Sequence, residues 1–319
     1  MGRLKAISLF CGCGGMDLGL IGGFTFLNQQ YGRLPFDIEC AIDNDKYAVE
    51  IYNNNFDHHC FIKDVKDLNH DVLPDHDILI GGFPCQSFSI VAQNPPRLGI
   101  KDEKGQLFFE MCRVLNKKRP RFFIAENVKG ILSANKKEAF PLIIKNFEDC
   151  GYKLKYKLLD ASDFGIPQKR QRVFIIGFKN QRDYDNFSFP VETTLKNKIP
   201  LKTVLEDVVN EKYFFSKRAV EGMKRVQSKM NKGRAQNVEI ACNTISAHLS
   251  KVSLNSTDPV LFENERYRRF TPREAANIQS FPLEFKFDSV SENRQYKAIG
   301  NAVPPVLMWH ISNSLIKLI

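Results

Sequence analysis

One thiol and one carboxylate occupy positions in this chain that chemistry explains better than packing does. Cys85 lies in Gly81-Gly82-Phe83-Pro84-Cys85-Gln86-Ser87-Phe88-Ser89, directly after the apolar run Asp77-Ile78-Leu79-Ile80. That run reads as a buried parallel strand. Two glycines turn the chain and Pro84 fixes the backbone before the thiol. A free cysteine is more often a small core residue, but this setting constrains backbone rather than filling a core. Arg121-Phe122-Phe123-Ile124-Ala125 is a further strand, ending in Glu126-Asn127-Val128. A thiol and a carboxylate therefore stand at strand ends, where ligands sit in open α/β sheets. Arg170 lies in the turn Phe164 to Gln171 between strands expected over 152–159 and 172–178, and Arg172 opens the second of these strands; alone, such a Lys/Arg cluster is more often a solvated face.

The elements that must position these groups begin at the amino terminus. Lys5 to Phe10 reads as a first strand running into Cys11-Gly12-Cys13-Gly14-Gly15, with a helix from Met16. Strand, glycine turn and helix open a nucleotide-binding unit. The spacing is Phe-x-Gly-x-Gly-Gly, not the dinucleotide Gly-x-Gly-x-x-Gly. A second strand, Ile38 to Ile42, ends in Asp43-Asn44; an acid there suits a ribose, though on its own a solvated turn aspartate is the simpler reading. Asp43 follows Gly15 by 28 residues, longer than the usual ~20; the excess falls in Phe24 to Pro35. Phe61 to Val65 is a short third strand containing Asp64.

Composition sets the frame. The 319 residues suffice for one large core and a smaller domain. With 43% hydrophobic and 26% charged residues the chain has the make-up of a globular protein. No apolar run approaches the ~20 residues of a membrane span. The apolar stretch after Met1 is too short for a signal peptide, and Ala6 stands where myristoylation wants Ser or Thr. A cytoplasmic location with reduced thiols is expected for the eight cysteines. Cys11-x-Cys13 has no partner pair at ligand spacing, so no metal is expected. Lys plus Arg number 46 against 36 Asp plus Glu, a net +10 that favours a polyanionic partner.

The long stretch from Gln86 to Lys104 has no periodicity and carries Ser87, Ser89, Gln93 and Arg97, all able to meet phosphates or bases. Beyond Lys179 the pattern weakens at Pro190, Pro200 and Pro259. Lys217 to Arg234 reads as an amphipathic helix with a basic face that includes Lys224 and Arg225. It meets phosphates or is simply a solvated helix. Thr271, Pro272 and Glu274 predict a capped helix start, and Pro304 to Ile319 a terminal helix. The boundaries expected are 1–179 for a catalytic and cofactor domain, 180–266 for a recognition domain, and 267–319 for a segment returning to the first.

These motifs together resemble the cytosine-C5 DNA methyltransferases of bacterial restriction-modification systems. Phe10 to Gly15, Pro84-Cys85-Gln86, Glu126-Asn127-Val128, Gln168 to Arg172, Arg269 to Glu274 with Phe281-Pro282, and Gly300 to Pro304 match six family motifs in family order. Asn277 and Ser280 depart from the family pattern, which usually has Arg and Gly there; this bears on domain orientation rather than chemistry. The resemblance implies a Rossmann-like α/β fold: a mixed, mostly parallel sheet with helices on both faces, plus a small irregular target-recognition domain. It implies S-adenosyl-L-methionine as cofactor, bordered by Phe10, Gly12, Cys13, Gly14, Gly15, Asp43, Asn44, Asp64, Val65, Pro84, Asn301, Ala302 and Val303. The partner it implies is double-stranded DNA, bound by a monomer, with a cognate endonuclease encoded alongside but not attached. The stretch Cys242 to His248, with Thr244 and His248, lies where the family's recognition domain has a Thr-aliphatic pair, which implies base and target-phosphate contacts there.

The chemistry implied is covalent. Cys85 adds to cytosine C6 and makes C5 nucleophilic. Glu126 must be protonated to relieve charge at N3, so its site must raise its pKa. Arg172, with Arg170 nearby, would hold the base. The target must leave the duplex stack. Rival readings are RNA cytosine methylation within the same family, a nicotinamide oxidoreductase, and a non-catalytic DNA-binding relative; intact Cys85, Glu126 and Arg172 disfavour the last.

Overall fold

Apolar runs a few residues long, each stopped by glycine, proline or an acid, build one seven-stranded sheet. The computed structural model describes residues 2–83, 107–227 (backbone only over 223–227), 235–251 and 258–319. Pro84, Cys85, Ser87, Ser89, Gln93 and Arg97 lie outside the described residues, as do the side chains of Lys224 and Arg225. In chain order the elements are β1 (Leu4–Leu9), α1 (Gly15–Ile21), β2 (Phe24–Phe26), β3 (Gln29–Tyr31), β4 (Phe36–Asp43), α2 (Lys46–Asn53), β5 (Cys60–Ile62) and β6 (Ile78–Gly82). Then follow α3 (Leu107–Lys118), β7 (Phe122–Val128), α4 (Ala139–Asp149), β8 (Lys153–Asp160), β9 (Gln171–Phe178) and α5 (Gln181–Asn186). The last are α6 (Lys217–Gln227), β10 (Leu261–Glu263), β11 (Arg266–Arg268), α7 (Pro272–Ile278), α8 (Glu292–Asn301) and α9 (Pro305–Ile316).

The sheet order is β5-β4-β1-β6-β7-β9-β8. The first five strands run parallel, and β9 is antiparallel to both its neighbours. Alternate residues of each strand serve opposite faces. Ala6, Ile78, Ile80, Phe122 and Ile124 join a core with α1 and α9. Ile7, Leu9, Leu79, Phe123 and Ala125 join another with α3 and α4. Both faces being covered explains why the central strands read as unbroken apolar runs. The register sets Leu9 beside Ile42 and Gly81, and Gly82 beside Glu126. The carboxyl ends of β1, β4, β6 and β7 are thereby level at one edge. This is the Rossmann-like mixed sheet that the motifs imply.

Several details differ from expectation. β1 stops at Leu9 because Phe10 already has a left-handed φ of 56°. β5 is Cys60–Ile62, not 61–65, since Asp64 leaves the strand to cap a short helical turn through the Lys66 N–H. The long stretch before β4 holds the hairpin β2–β3, whose turn residues Leu27 and Asn28 both have positive φ, as a two-residue turn requires. Leu27 is no turn signal, so the hairpin was invisible in the sequence. α5 packs beyond Lys179: Arg121 and Asp183 form two hydrogen bonds of 2.7 and 2.9 Å, and Phe187 meets Phe178 with tilted rings 5.1 Å apart.

The described residues between 187 and 268 are mostly irregular; their regular elements are three 3-10 turns (Leu201–Val204, Glu211–Tyr213 and Leu249–Lys251), α6 and the small β10–β11 hairpin. The predicted capping box is present: Thr271 accepts from Glu274 N at 3.0 Å and Glu274 accepts from Thr271 N at 2.9 Å. The two departures from the family pattern are accommodated locally. Ser280 is buried at φ 64°, where a glycine costs least, but its hydroxyl accepts the Val306 N–H at 3.2 Å in the first turn of α9. Asn277 donates to the Val204 carbonyl at 3.3 Å.

Candidate active site

The level strand ends enclose a cavity of about 830 Å³. On one side it is bordered by Phe10, Gly12 and Gly15 from the turn after β1, and by Asp43 and Asn44 after β4. Asp64 and Val65 follow β5, and Asn301, Ala302 and Val303 close the rim from the end of α8. Gly15 cannot be larger: a Cβ there would lie 2.3 Å from the Val303 carbonyl oxygen. Asp43 binds the turn directly, accepting Gly12 N and Asp45 N at 2.8 Å each. Burial pushes its carboxyl up against these backbone donors. Cys13 and Gly14 face elsewhere. The Cys13 thiol meets the Ala298 carbonyl at 3.6 Å and burial pushes it up to about 12; a Cβ on Gly14 would strike Phe56.

Beneath the glycine turn lies a carboxyl that the sequence did not single out. Asp17, fully buried, accepts from Ser8 Oγ at 2.9 Å and Tyr52 Oη at 2.8 Å, and Tyr52 Oη also meets His58 Nε2 at 2.6 Å. Burial first, with a smaller push from Asp43, holds Asp17 near 6 against those two donors and a backbone N–H. A folded pKa above the unfolded value favours folding fully only below about 4, and the gain is lost as pH rises through about 6. Asp17→Asn keeps an acceptor for Tyr52 and lets the Ser8 hydroxyl turn. Urea unfolding from pH 5 to 7.5 should therefore show wild type losing about 1–1.5 kcal/mol more than the variant. Equal slopes would place the titration elsewhere.

The opposite wall carries the catalytic candidates. Glu126 projects from β7 so close to β6 that a Cβ on Gly82 would stand 3.0 Å from Glu126 Oε2. Glu126 Oε1 pairs with Arg172 Nε at 3.0 Å, and Arg172 also donates to the Gln171 carbonyl at 2.8 Å. Burial raises the Glu126 carboxyl while Arg172 and then Arg170 pull it down; the net direction is up. Asn127, which the sequence reading left without a role, donates to the Phe83 carbonyl at 3.0 Å. It thereby ties the end of β7 to the residue just before Pro84.

Arg170 sits differently from Arg172. It is 1% exposed and spends Nη1 on the Ile245 carbonyl at 2.9 Å and Nη2 on Gly300 and Ala302 at 2.8 and 2.9 Å. Thr244 is exposed beside it, donating to the Lys169 carbonyl at 2.7 Å, and His248 is exposed three residues after Ile245. On the outer rim Lys297 pairs with Asp45 at 2.5 Å, and Arg294 lies 4.2 Å over the Tyr47 ring. Only a side-chain direction unavailable from sequence shows that these two cations border the cavity.

The model of the C-5 cytosine-specific DNA methylase family matches residues 4–317. Among similar proteins, Type II methyltransferase M1.ScrFI of Lactococcus lactis subsp. cremoris is 35% identical over 99% of this chain and 79% of its own length. Type II methyltransferase M.FnuDI of Fusobacterium nucleatum is 34% identical over 98% of this chain and 94% of its own. The solved Entamoeba histolytica methyltransferase EhMeth, at 18% identity, superimposes with a TM-score of 0.79 over 99% of both chains, which supports the fold. With a family model spanning nearly every residue and relatives matched along nearly the whole chain, the protein belongs to the C-5 cytosine-specific DNA methylases, enzymes that use S-adenosyl-L-methionine as methyl donor.

Proposed function

We propose that this chain is the modification enzyme of a Type II restriction-modification system, methylating cytosine C5 at a short duplex site. One observation carries the reading of the site: a buried glutamate, its carboxyl raised and paired with Arg172, shares a cavity with the glycine turn and the ribose-type acid. The donor set fits the cofactor. Asp43 and Asp64 offer carboxylates for hydroxyl and amino groups, Phe10 and Val65 offer apolar surface, and Gly12 and Gly15 allow close approach. When bound, S-adenosyl-L-methionine supplies an electrophilic methyl group.

In this proposal the protein does the rest. The target cytosine leaves the stack, costing a few kcal/mol. Cys85 adds to C6, Glu126 gives a proton to N3, and Arg172 orients both the carboxyl and the base. Arg170 holds the rim rather than the base. Residues 1–179 and 267–319 carry catalysis, and 180–266 reads DNA, with Ser87, Ser89, Gln93 and Arg97 closing on the target. Lys224 and Arg225 meet phosphates, and Thr244 and His248 meet the site itself. We place the enzyme in the cytoplasm as a monomer, with its endonuclease separate. Among the described residues no helix is long and apolar enough to cross a membrane.

Incorporation of tritiated methyl from S-adenosyl-L-methionine separates duplex DNA from transfer RNA as substrate. The expected result is label in DNA alone, in cytosine, at one recurring sequence when the modified DNA is read. Label in transfer RNA and none in DNA would overturn the reading.

A further inference from the structure

The segment proposed to meet DNA and the rim of the cofactor cavity are joined through one residue, Ile245. Its N–H donates to Gln168 Oε1 at 2.9 Å, and its carbonyl accepts Arg170 Nη1 at 2.9 Å. Neither partner ends there. Arg170 runs on to the Gly300 and Ala302 carbonyls. Gln168 Nε2 donates to Gln279 Oε1 at 2.8 Å, and Gln279 Nε2 donates to the Ile299 carbonyl at 2.7 Å. Gln168 and Gln279 are completely buried. The main chains also touch: a Cβ on Gly300 would lie 2.3 Å from backbone atoms of Ser246 and Ala247. Cys242 is zipped to the same turn, its N–H bonded to Pro167 O at 2.9 Å and its carbonyl to Lys169 N at 2.7 Å.

Both backbone polar groups of one buried residue are thus spent on side chains that lead, Arg170 directly and Gln168 through Gln279, to residues 299–302. Moving Ile245 strands buried donors and acceptors on both sides, which makes the connection stiff. We propose that Gln168, with Gln279, is a positioning residue that couples occupancy of the DNA-facing segment to affinity at the cofactor cavity. The proposal rests on the reading above, in which residues 244–248 face DNA and the cavity holds the cofactor. Segment and rim keep one geometry, so the ligand that binds first orders the seat for the second. By linkage the coupling factor is the same in both directions.

The test uses the full chain, S-adenosylhomocysteine, and a duplex carrying the site located by sequencing DNA that the enzyme has modified. The Kd of S-adenosylhomocysteine is measured by calorimetry with and without that duplex. In wild type the two values should differ on the order of tenfold. In Gln168→Met the ratio should fall to near one while the Kd without DNA stays that of wild type. Thermal melting shows which variants fold, and Gln279→Met interrupts the same path at its other end. A merely structural role would weaken both binding events and leave their ratio intact. A wild-type ratio of one, or a wild-type ratio in either folded variant, overturns the coupling. Asp43→Ala separates the two levels: unchanged product affinity there would overturn the cofactor reading itself. Weakened affinity there, with the ratio intact in the glutamine variants, would overturn the coupling alone.

Discussion

Glu126→Gln is expected to lower kcat by about 10²–10⁴, the usual worth of a positioned general acid, with S-adenosyl-L-methionine affinity unchanged. The substitution isolates the proton. An amide oxygen still accepts from Arg172 Nε, now 3.0 Å from Glu126 Oε1, so placement of both side chains survives. The amide cannot protonate cytosine N3 at neutral pH, so the adduct's charge goes unrelieved. Environment supports the acid role, since burial raises this carboxyl even with two guanidiniums opposing. The protonated form is the active one, so activity should fall as pH rises through the Glu126 pKa. That alkaline limb should be missing from whatever activity the variant keeps. Single-turnover rates across pH read both effects. Wild-type turnover in the variant would move the acid to another residue.

What sequence could show here was backbone punctuation. Glycines at 12, 14 and 15, the acid at 43 and the Gly-Gly before Pro84 mark strand ends, and strand ends converge in a parallel sheet whatever the side chains do. Glu126 was legible for the same reason, standing where an apolar strand stops. Side-chain destinations were not legible. Arg170 and Arg172 are two residues apart, yet one ends on carbonyls 75 to 132 positions away and the other on Glu126. Gln168 was seen only as a motif letter, though it is a buried junction. Cys13 and Gly14 share the glycine turn with Gly12, but the turn alternates direction and aims them at α8 and α2. Asp17 stands in the first turn of α1, a position many acids occupy without burial. Only the packing of Ser8 and Tyr52 around it shows otherwise.

Cys85→Ala should abolish methylation and also abolish a covalent adduct that wild type forms with DNA carrying 5-fluorocytosine at the target. The thiolate adds to C6, and methyl transfer at C5 follows. With cytosine, release of the C5 proton then restores the ring and expels the thiolate. Fluorine at C5 cannot leave as a proton does, so the protein stays attached through the bond that covalent catalysis makes transiently. The surroundings fit a nucleophile delivered by the chain after β6. Phe83 is buried and held by Asn127 at 3.0 Å, Gly82 leaves room for the Glu126 carboxyl, and Cys85 follows Phe83 by two residues. Among the described cysteines only Cys11 borders the cavity. Cys13 and Cys242 are buried thiols pushed up by desolvation, away from Glu126 in their contacts. The Cys11 thiol is hydrogen-bonded to the Cys60 thiol at 3.2 Å and raised by burial, the opposite of an activated thiol. Denaturing gels of wild type and Cys85→Ala with the fluorinated duplex, beside a gel shift with the ordinary duplex, give the answer. Wild type should show a band resistant to denaturant, and the alanine variant should show none while still shifting the ordinary duplex. An adduct that persists in Cys85→Ala would assign the nucleophile to another residue and detach Glu126 from the chemistry proposed for it.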